Sequence, residues 1–347
     1  MEFGGQAPRR QVVIVGAGFG GLACARKLRK SRSYDVTLVD KNPYQLFSPL
    51  LYQVATASLP EDDIAFPVRT VYREVRFVRA AVTGVDSTAQ TISLSTGKTI
   101  AYDDLVLAVG SEGTTFGIPG VAEHTLQMKS LTDAREIRRS LLRNYELVED
   151  GELPIESLNV VIVGGGPTGV ELAGAVRELQ AEIRREFETI APHASVTLLE
   201  AGPRLLPSFH PRSSEHTAKT LTKMGVDVRL NAAVVEATAT SLRMKDGDEI
   251  VAGTRIWAAG VVAPPHWKSL GDTDRGNRLK VQPTMQLTDN VWVVGDVASF
   301  SGKSGQPLPM IAPVAIFEGL YRFVTRSANE LSRHVLALLN RDWCNHR

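Results

Sequence analysis

Short runs of consecutive apolar residues, each broken by a glycine-rich turn, punctuate the chain. Residues 11–15 (QVVIV) lead into GAGFGG, and residues 159–163 (NVVIV) lead into GGGPTG. Runs this short, rich in Val and Ile and ending in a glycine turn, predict strands of a parallel sheet. After each turn the period changes. Leu22, Ala25 and Leu28 recur at helical spacing behind the first turn, and Leu172, Val176, Leu179, Ile183 and Phe187 mark one face of a longer helix behind the second. A further strand closes each segment, DVTLVD ending at Asp40 and SVTLLE ending at Glu200. Segments 11–40 and 159–200 thus repeat one plan: strand, glycine turn, helix, strand, acid. Each is predicted to be a βαβ unit of an α/β fold.

Three more stretches, YDDLVLAVGS, TRIWAAGV and VWVVGDVASF, run an apolar strand into a turn of small residues. They place Ala108, Ala259 and Gly260, and Asp296 at strand carboxyl ends, where sheets of this kind receive ligands. The turns GIPG and APPH mark two boundaries. The expected organisation is a discontinuous first domain, residues 1–117 and 270–320, around a second, residues 118–269. Residues 321–347 are expected to form a C-terminal amphipathic helix and tail. There Val324, Leu331, Val335, Leu338 and Leu339 repeat at helical spacing, with five arginines against two acids from Leu320 onward. A basic amphipathic helix either lies on an anionic membrane or packs on a core with its charges solvated.

The length of 347 residues fits about two domains. With 39 basic against 38 acidic side chains the chain lacks the footprint of a nucleic-acid binder. No apolar run reaches the roughly 18 residues of a membrane span, and MEFGGQAPRR lacks a signal peptide's apolar core, so a cytoplasmic protein is expected. Cys24 and Cys344, in no metal or CxxC spacing, exclude a disulfide framework, a zinc site and a redox-active thiol pair. Cys24 reads as a small core residue of the first helix. The strings Gly97-Lys98-Thr99 and Gly302-Lys303-Ser304 lack the upstream glycine of a phosphate loop, because Ile92 and Val297 stand there, and read as turns. The seven histidines show no metal spacing.

The glycine spacing is G-x-G-x-x-G in both copies, at Gly16, Gly18 and Gly21 and at Gly164, Gly166 and Gly169. The first glycine makes a tight turn, the second lets backbone approach a pyrophosphate, and the third lets helix pack on strand, so that the helix N-terminus faces the anion. Asp40 lies 19 residues past Gly21, near the separation of about 20 for the carboxylate that binds a ribose hydroxyl. Glu200 lies 31 past Gly169, which implies a crossover helix longer by about three turns. A carboxylate there repels a 2′-phosphate and favours NADH over NADPH, with Arg204 nearby as a contrary signal. Two such folds suggest two dinucleotides, one held and one exchanging, for which flavin plus nicotinamide is the natural pair. The plainer alternative is two glycine turns of ordinary α/β domains with solvated acids at their strand ends.

The stretches VVIVGAGFGGLACARKL, LFSPLLYQVATASLPEDDIAFPVR, VVIVGGGPTGVELAGAV, LLEAGPRLLPSF, RIWAAGV and VWVVGDVASF extend over the chain to about residue 320. In them the chain resembles the type II NADH dehydrogenases, the non-electrogenic NADH:quinone reductases of the two-dinucleotide-binding-domain flavoproteins. The resemblance implies two Rossmann-like domains, with FAD on the first and NADH on the second. It implies hydride transfer from nicotinamide to flavin, followed by two-electron reduction of a quinone without proton pumping. Gly16, Ala17, Gly18, Phe19, Gly20, Gly21, Asp40 and Lys41 match the family's FAD phosphate and ribose contacts. Val82 matches its adenine side, Ala108 and Asp296 further FAD contacts, the latter to the ribityl chain, and Ala312 and Pro313 its isoalloxazine contacts. Gly164, Gly166, Gly169, Glu200, Ala259 and Gly260 fall on the NADH side, and Glu171 matches the family's functional glutamate near nicotinamide and flavin. The lack of a thiol pair fits, since thiol-dependent relatives carry CxxC, CxxxxC or reactive cysteines.

Two departures accompany the resemblance. Phe317 and Glu318 stand where the family has glutamines bordering its quinone pocket. The family continues into a C-terminal membrane-docking region, which the ending RDWCNHR does not resemble, so that region is expected to be absent and the quinone step or docking altered. The implied partners are a quinone, the cytoplasmic face of the cell membrane as a peripheral contact, and a second copy in a homodimer. A soluble NADH-linked reductase of a small redox carrier, or a truncated FAD and NADH binder, remain the alternatives.

Overall fold

The computed structural model describes residues 8–301 and 307–321. In chain order the elements that position the sites are β1 (Arg10–Val15), α1 (Phe19–Leu28), β2 (Tyr34–Asp40), α2 (Leu51–Ala55), β3 (Arg76–Arg79), β4 (Asp104–Leu107), β5 (Leu126–Gln127), α3 (Leu131–Glu149), β6 (Val160–Val163), α4 (Pro167–Ile183), β7 (Val196–Leu199), α5 (Pro211–Lys223), β8 (Val226–Arg229), β9 (Thr254–Trp257), β10 (Gln286–Thr288), β11 (Val291–Val293) and α6 (Ala312–Tyr321). They belong to two compact units. The first takes residues up to 46, 65–112 and those from 262 onward, and the second takes 47–64 and 113–261.

The first unit is built on a six-stranded sheet in the order β10-β11-β4-β1-β2-β3. β1 runs parallel to β2 and β4, with Val15 opposite Val39 and Leu107, and only β10 is antiparallel to its neighbour. Side chains alternate between the faces of a strand. Val12 and Ile14 enter one core with Leu22, Ala25 and Leu38, while Val13 and Val15 enter another with Leu105, Leu107 and Val293. A strand feeding two cores has no polar face, which is why QVVIV shows no alternation.

The second unit carries a five-stranded sheet, β5-β9-β6-β7-β8, parallel throughout. Its central β6 has Val163 opposite Leu199 and Trp257. The repeat reaches further than the sequence suggests. Each unit inserts a three-stranded antiparallel sheet before the strand that returns beside the central one: Val82–Asp86, Thr91–Leu94 and Thr99–Ala101 in the first, Val234–Ala237, Ser241–Met244 and Glu249–Val251 in the second. Gly97-Lys98-Thr99 belongs to a hairpin of the first of these.

Three expectations need correction. The longer crossover is not one helix three turns longer, because α4 stops at Ile183 and is 17 residues against 10 in α1. Phe187 lies beyond it, its ring centroid 5.3 Å from that of Tyr145. Glu186 and Glu188 would oppose the helix dipole at its C-terminus, Thr189 and Ile190 are β-branched, and Pro192 disfavours a helical residue before it. Residues 47–64 fall outside the unit to which the sequence assigns them. Leu51, Val54 and Ala55 are buried, α2 packs on α3 and α4, and Arg135 of α3 donates to Glu61 at 2.6 Å. The units also divide before GIPG, because Trp257 Nε1 donates to Thr114 O at 2.8 Å and fastens that segment to β9.

Among the described residues no helix is long and apolar enough to cross a membrane. The Gly302-Lys303-Ser304 turn, the amphipathic positions Val324 to Leu339, His334, His346 and Cys344 lie outside the described residues.

Candidate functional site

Each glycine turn is shaped by what surrounds it. Gly16 follows β1 with φ +106°, a conformation side chains resist, and a Cβ there would lie 2.2 Å from the carbonyl oxygen of Ala108. A Cβ on Gly21 would lie 1.9 Å from Gly16 O, whereas around Gly18 nothing stands within 4 Å. The second turn repeats this. Gly164 has φ +115° and abuts Ala258 and Ala259, a Cβ on Gly169 would lie 1.9 Å from Gly164 O, and Gly166 is open to 4 Å. Gly18 and Gly166 are the N-caps of α1 and α4, with neither a capping side chain nor an acid in the first turn. Both helices therefore begin on a cleared glycine with no capping side chain, an arrangement suited to a pyrophosphate.

The two acids are oriented by the same turns. Asp40 Oδ2 accepts the Ala17 N–H at 2.6 Å and Oδ1 that of Asn42 at 2.7 Å. Burial nevertheless lifts its carboxyl above the usual range, against the pull of those amides and of Lys41. Glu200 Oε2 accepts the Gly165 N–H at 2.7 Å, and Oε1 that of Gly202 at 2.6 Å. Arg204 donates to the carbonyls of Phe209 and Pro207 and to Ser214 Oγ, so its guanidinium is engaged by its own loop and the first turn of α5.

In the first unit β1, β4 and β11 are neighbours, and their carboxyl ends bring Gly16, Ala108 and Asp296 together. Asp296 sits in the one-turn helix Gly295–Val297 and accepts from Ser111 Oγ at 2.7 Å. Lys41 is exposed, Val82 half-buried, Ala312 half-buried and Pro313 exposed at the start of α6. α6 lies close against α1: a Cβ on Gly319 would be 2.4 Å from Gly20 O, and Cys24, buried as expected, donates its thiol to Gly319 O at 3.1 Å. Glu318 is 2 % exposed and accepts the Gly295 N–H at 2.6 Å. Burial foremost, with a contribution from Asp296, pushes its carboxyl up to about 8. Phe317 packs, half-buried, on the core beside α1.

In the second unit Ala259 and Gly260 follow β9, next to β6 and its turn. A Cβ on Gly260 would lie 2.2 Å from the Phe116 ring, which meets Trp257 edge-on at 6.4 Å. Glu171, in the second turn of α4, is open at its surface, yet surrounding protein desolvates it enough to raise its carboxyl above the ordinary range. Ser111, Phe116 and the burial of Glu318 escape the sequence reading. A lone acid inside the apolar IAPVAIFEGL was the available signal for the last.

Residues 10–319 match the pyridine nucleotide-disulphide oxidoreductase family. Over 323 residues the chain is 37% identical to the type II NADH:quinone oxidoreductase Ndh of Mycobacterium tuberculosis, covering 86% of this chain and 70% of that protein. It is 30% identical to the type II NADH:quinone oxidoreductase of Staphylococcus haemolyticus over 326 residues, 90% of this chain and 80% of that one. Among solved structures, NDH2 from Plasmodium falciparum in complex with NADH superposes with a TM-score of 0.84 at 21% identity, covering 91% and 82% of the two chains.

Proposed function

Because the chain belongs to the type II NADH:quinone oxidoreductases of the pyridine nucleotide-disulphide oxidoreductase family, we propose that its first glycine turn holds FAD and its second NADH. The protein is an FAD-dependent NADH:quinone oxidoreductase. FAD, when bound, supplies the two-electron chemistry that links hydride from NADH to a quinone acceptor. The observation that carries the placement is the doubled cradle, in which a cleared glycine at a helix start without a capping side chain stands beside an acid tied to the turn.

In this reading the amides of α1 and α4 bind pyrophosphate, and Ala17, Phe19 and Gly20 supply backbone beside Gly16, Gly18 and Gly21. Asp40 and Glu200 each retain free lone pairs for ribose hydroxyls, since a carboxylate has about four acceptor sites and two are used by amides. The engagement of Arg204 by its own loop and the first turn of α5 supports NADH over NADPH. Lys41 and Val82 serve the adenosine half of FAD, Ala108 and Asp296 its centre, and Ala312 and Pro313 its ring. Gly164, Gly166, Gly169, Ala259 and Gly260 line the NADH side, where Glu171 serves the nicotinamide end.

A peripheral position on the inner face of the cell membrane and a homodimer complete the proposal. Co-sedimentation with anionic vesicles and analytical ultracentrifugation test them. The central test is anaerobic addition of NADH to the purified protein. Flavin absorbance should bleach and return on addition of a soluble quinone, and a protein that stays coloured overturns the assignment. Bleaching with return only by artificial dyes or oxygen overturns the acceptor.

A further inference from the structure

Glu318 is the buried acid for which the nucleotide sites leave no role. It belongs to α6, whose first residues are assigned to the flavin ring, and its carboxylate oxygen accepts the Gly295 N–H at 2.6 Å. The next residue, Asp296, is the one assigned to the flavin ribityl chain. Glu318 is therefore hydrogen-bonded to the strand-end turn that carries Asp296, from the second turn of α6.

The charges around it are few. The turn contributes Asp296, whose negative charge disfavours ionisation of Glu318. Arg278 opposes it, but that guanidinium is committed to Asp274 at 2.7 Å and to Leu308 O at 3.0 Å. α1 faces this part of α6 with Gly20 and Ala23, and with Cys24, whose thiol donates to Gly319 O. No cation bonds the carboxyl directly among the described residues. A carboxyl so placed is poorly compensated as an anion, and its proton is held near neutral pH.

Resting on the assignment of FAD to the first unit, we propose that Glu318 is a proton-linked positioning residue whose ionisation is coupled to the charge of the bound flavin. A hydride carries two electrons and one proton, so a flavin bound here would gain one negative charge on accepting it. That charge makes the Glu318 carboxylate costlier still. Where Glu318 is ionised beforehand, it takes one proton from water and forms an O–H bond as NADH becomes NAD⁺. On reoxidation, two electrons and one proton would pass to the quinone, and the proton released from Glu318 would balance the second proton of the quinol, leaving the carboxylate as it began.

The test is potentiometry of the flavin-loaded protein from pH 6 to 10, for the native sequence and Glu318→Gln. One extra proton per two electrons changes the equilibrium constant tenfold per pH unit, which is about 30 mV. The native midpoint potential should fall with pH more steeply than that of Glu318→Gln, by up to that amount, over the range in which Glu318 titrates. Parallel profiles overturn the proposal and leave Glu318 a structural residue. Should Glu318→Gln not retain flavin, proton uptake by the native protein on anaerobic reduction decides, read with a pH indicator in weak buffer. Uptake rising by up to one proton across the same range supports the coupling, and uptake that is flat or only falling overturns it. A native protein without flavin refutes the assignment of FAD, an outcome visible before any potential is measured.

Discussion

The carboxylate of Asp40 accepts the amide N–H of Ala17 at 2.6 Å. The bond ties the acid at the end of β2 to the glycine turn at the end of β1, and Glu200 makes its counterpart with Gly165 at 2.7 Å. The second acid is thereby fixed beside the turn rather than left to solvent. Replacing Glu200 with Ala removes the proposed acceptor of a ribose hydroxyl and, with it, the charge that would repel a 2′-phosphate. Hydrogen bonds to charged groups contribute about 1.5–3 kcal/mol. The ratio of kcat/KM for NADH over NADPH should fall at least tenfold in Glu200→Ala. A native protein that already prefers NADPH contradicts this reading of Glu200.

The paired turns can be separated by matched substitutions. Gly16→Ala forces a side chain into a positive-φ position, at a cost on the order of 1–3 kcal/mol, and sets its Cβ 2.2 Å from Ala108 O. Gly164→Ala does the same against Ala258 and Ala259, at 2.9 Å. Gly16→Ala should purify with less than about a tenth of the native flavin, read from the ratio of visible to ultraviolet absorbance. Gly164→Ala should keep its flavin and raise KM for NADH about tenfold or more. The reverse pattern would exchange the two cofactors.

The parts of this fold legible in the sequence are those where one strand must satisfy two cores. QVVIV feeds two cores and NVVIV is buried throughout its four apolar residues, so neither alternates, and the glycine that follows each is demanded by neighbouring backbone. What stays hidden depends on partners distant in the chain. The five residues of α2 carry too little periodicity to reveal that Leu51 and Val54 pack with α3 and α4. The antiparallel strands are three to five residues long and half-exposed, so their pattern is weak. Glu318 is visible in sequence only as an acid among apolar residues. Its burial against the Gly295 turn is fixed by the close contact of α6 with α1 at Gly20 and Gly319.

Glu171 lies on α4 behind the second turn, partly desolvated, with its carboxyl raised above the usual range. If Glu171 serves the nicotinamide and flavin as proposed, without holding the flavin pyrophosphate, its loss should affect turnover without affecting cofactor content. Glu171→Gln keeps the shape and removes the charge. It should purify with native flavin and lose at least about tenfold in kcat for quinone reduction. Unchanged kcat would mean that Glu171 is only a solvated helix acid.

The burial of Glu318 also sets a pH dependence of stability. Its carboxyl titrates near 8 in the folded protein against 4.5 ordinarily, so between those values the folded state holds a proton that the unfolded state has released. The contribution is fully present below about pH 4.5 and is lost as pH rises toward 8. Each pH unit within the window removes up to about 1.4 kcal/mol. Glu318→Gln is uncharged throughout and escapes this loss, while titrations common to both proteins cancel in the difference. The thermal midpoint of the native protein, relative to Glu318→Gln, should therefore fall steadily from pH 5 to about pH 8 and then level off. Calorimetry of the two flavin-loaded proteins at matched pH measures it, and a difference independent of pH would show that Glu318 is ionised and compensated in the fold.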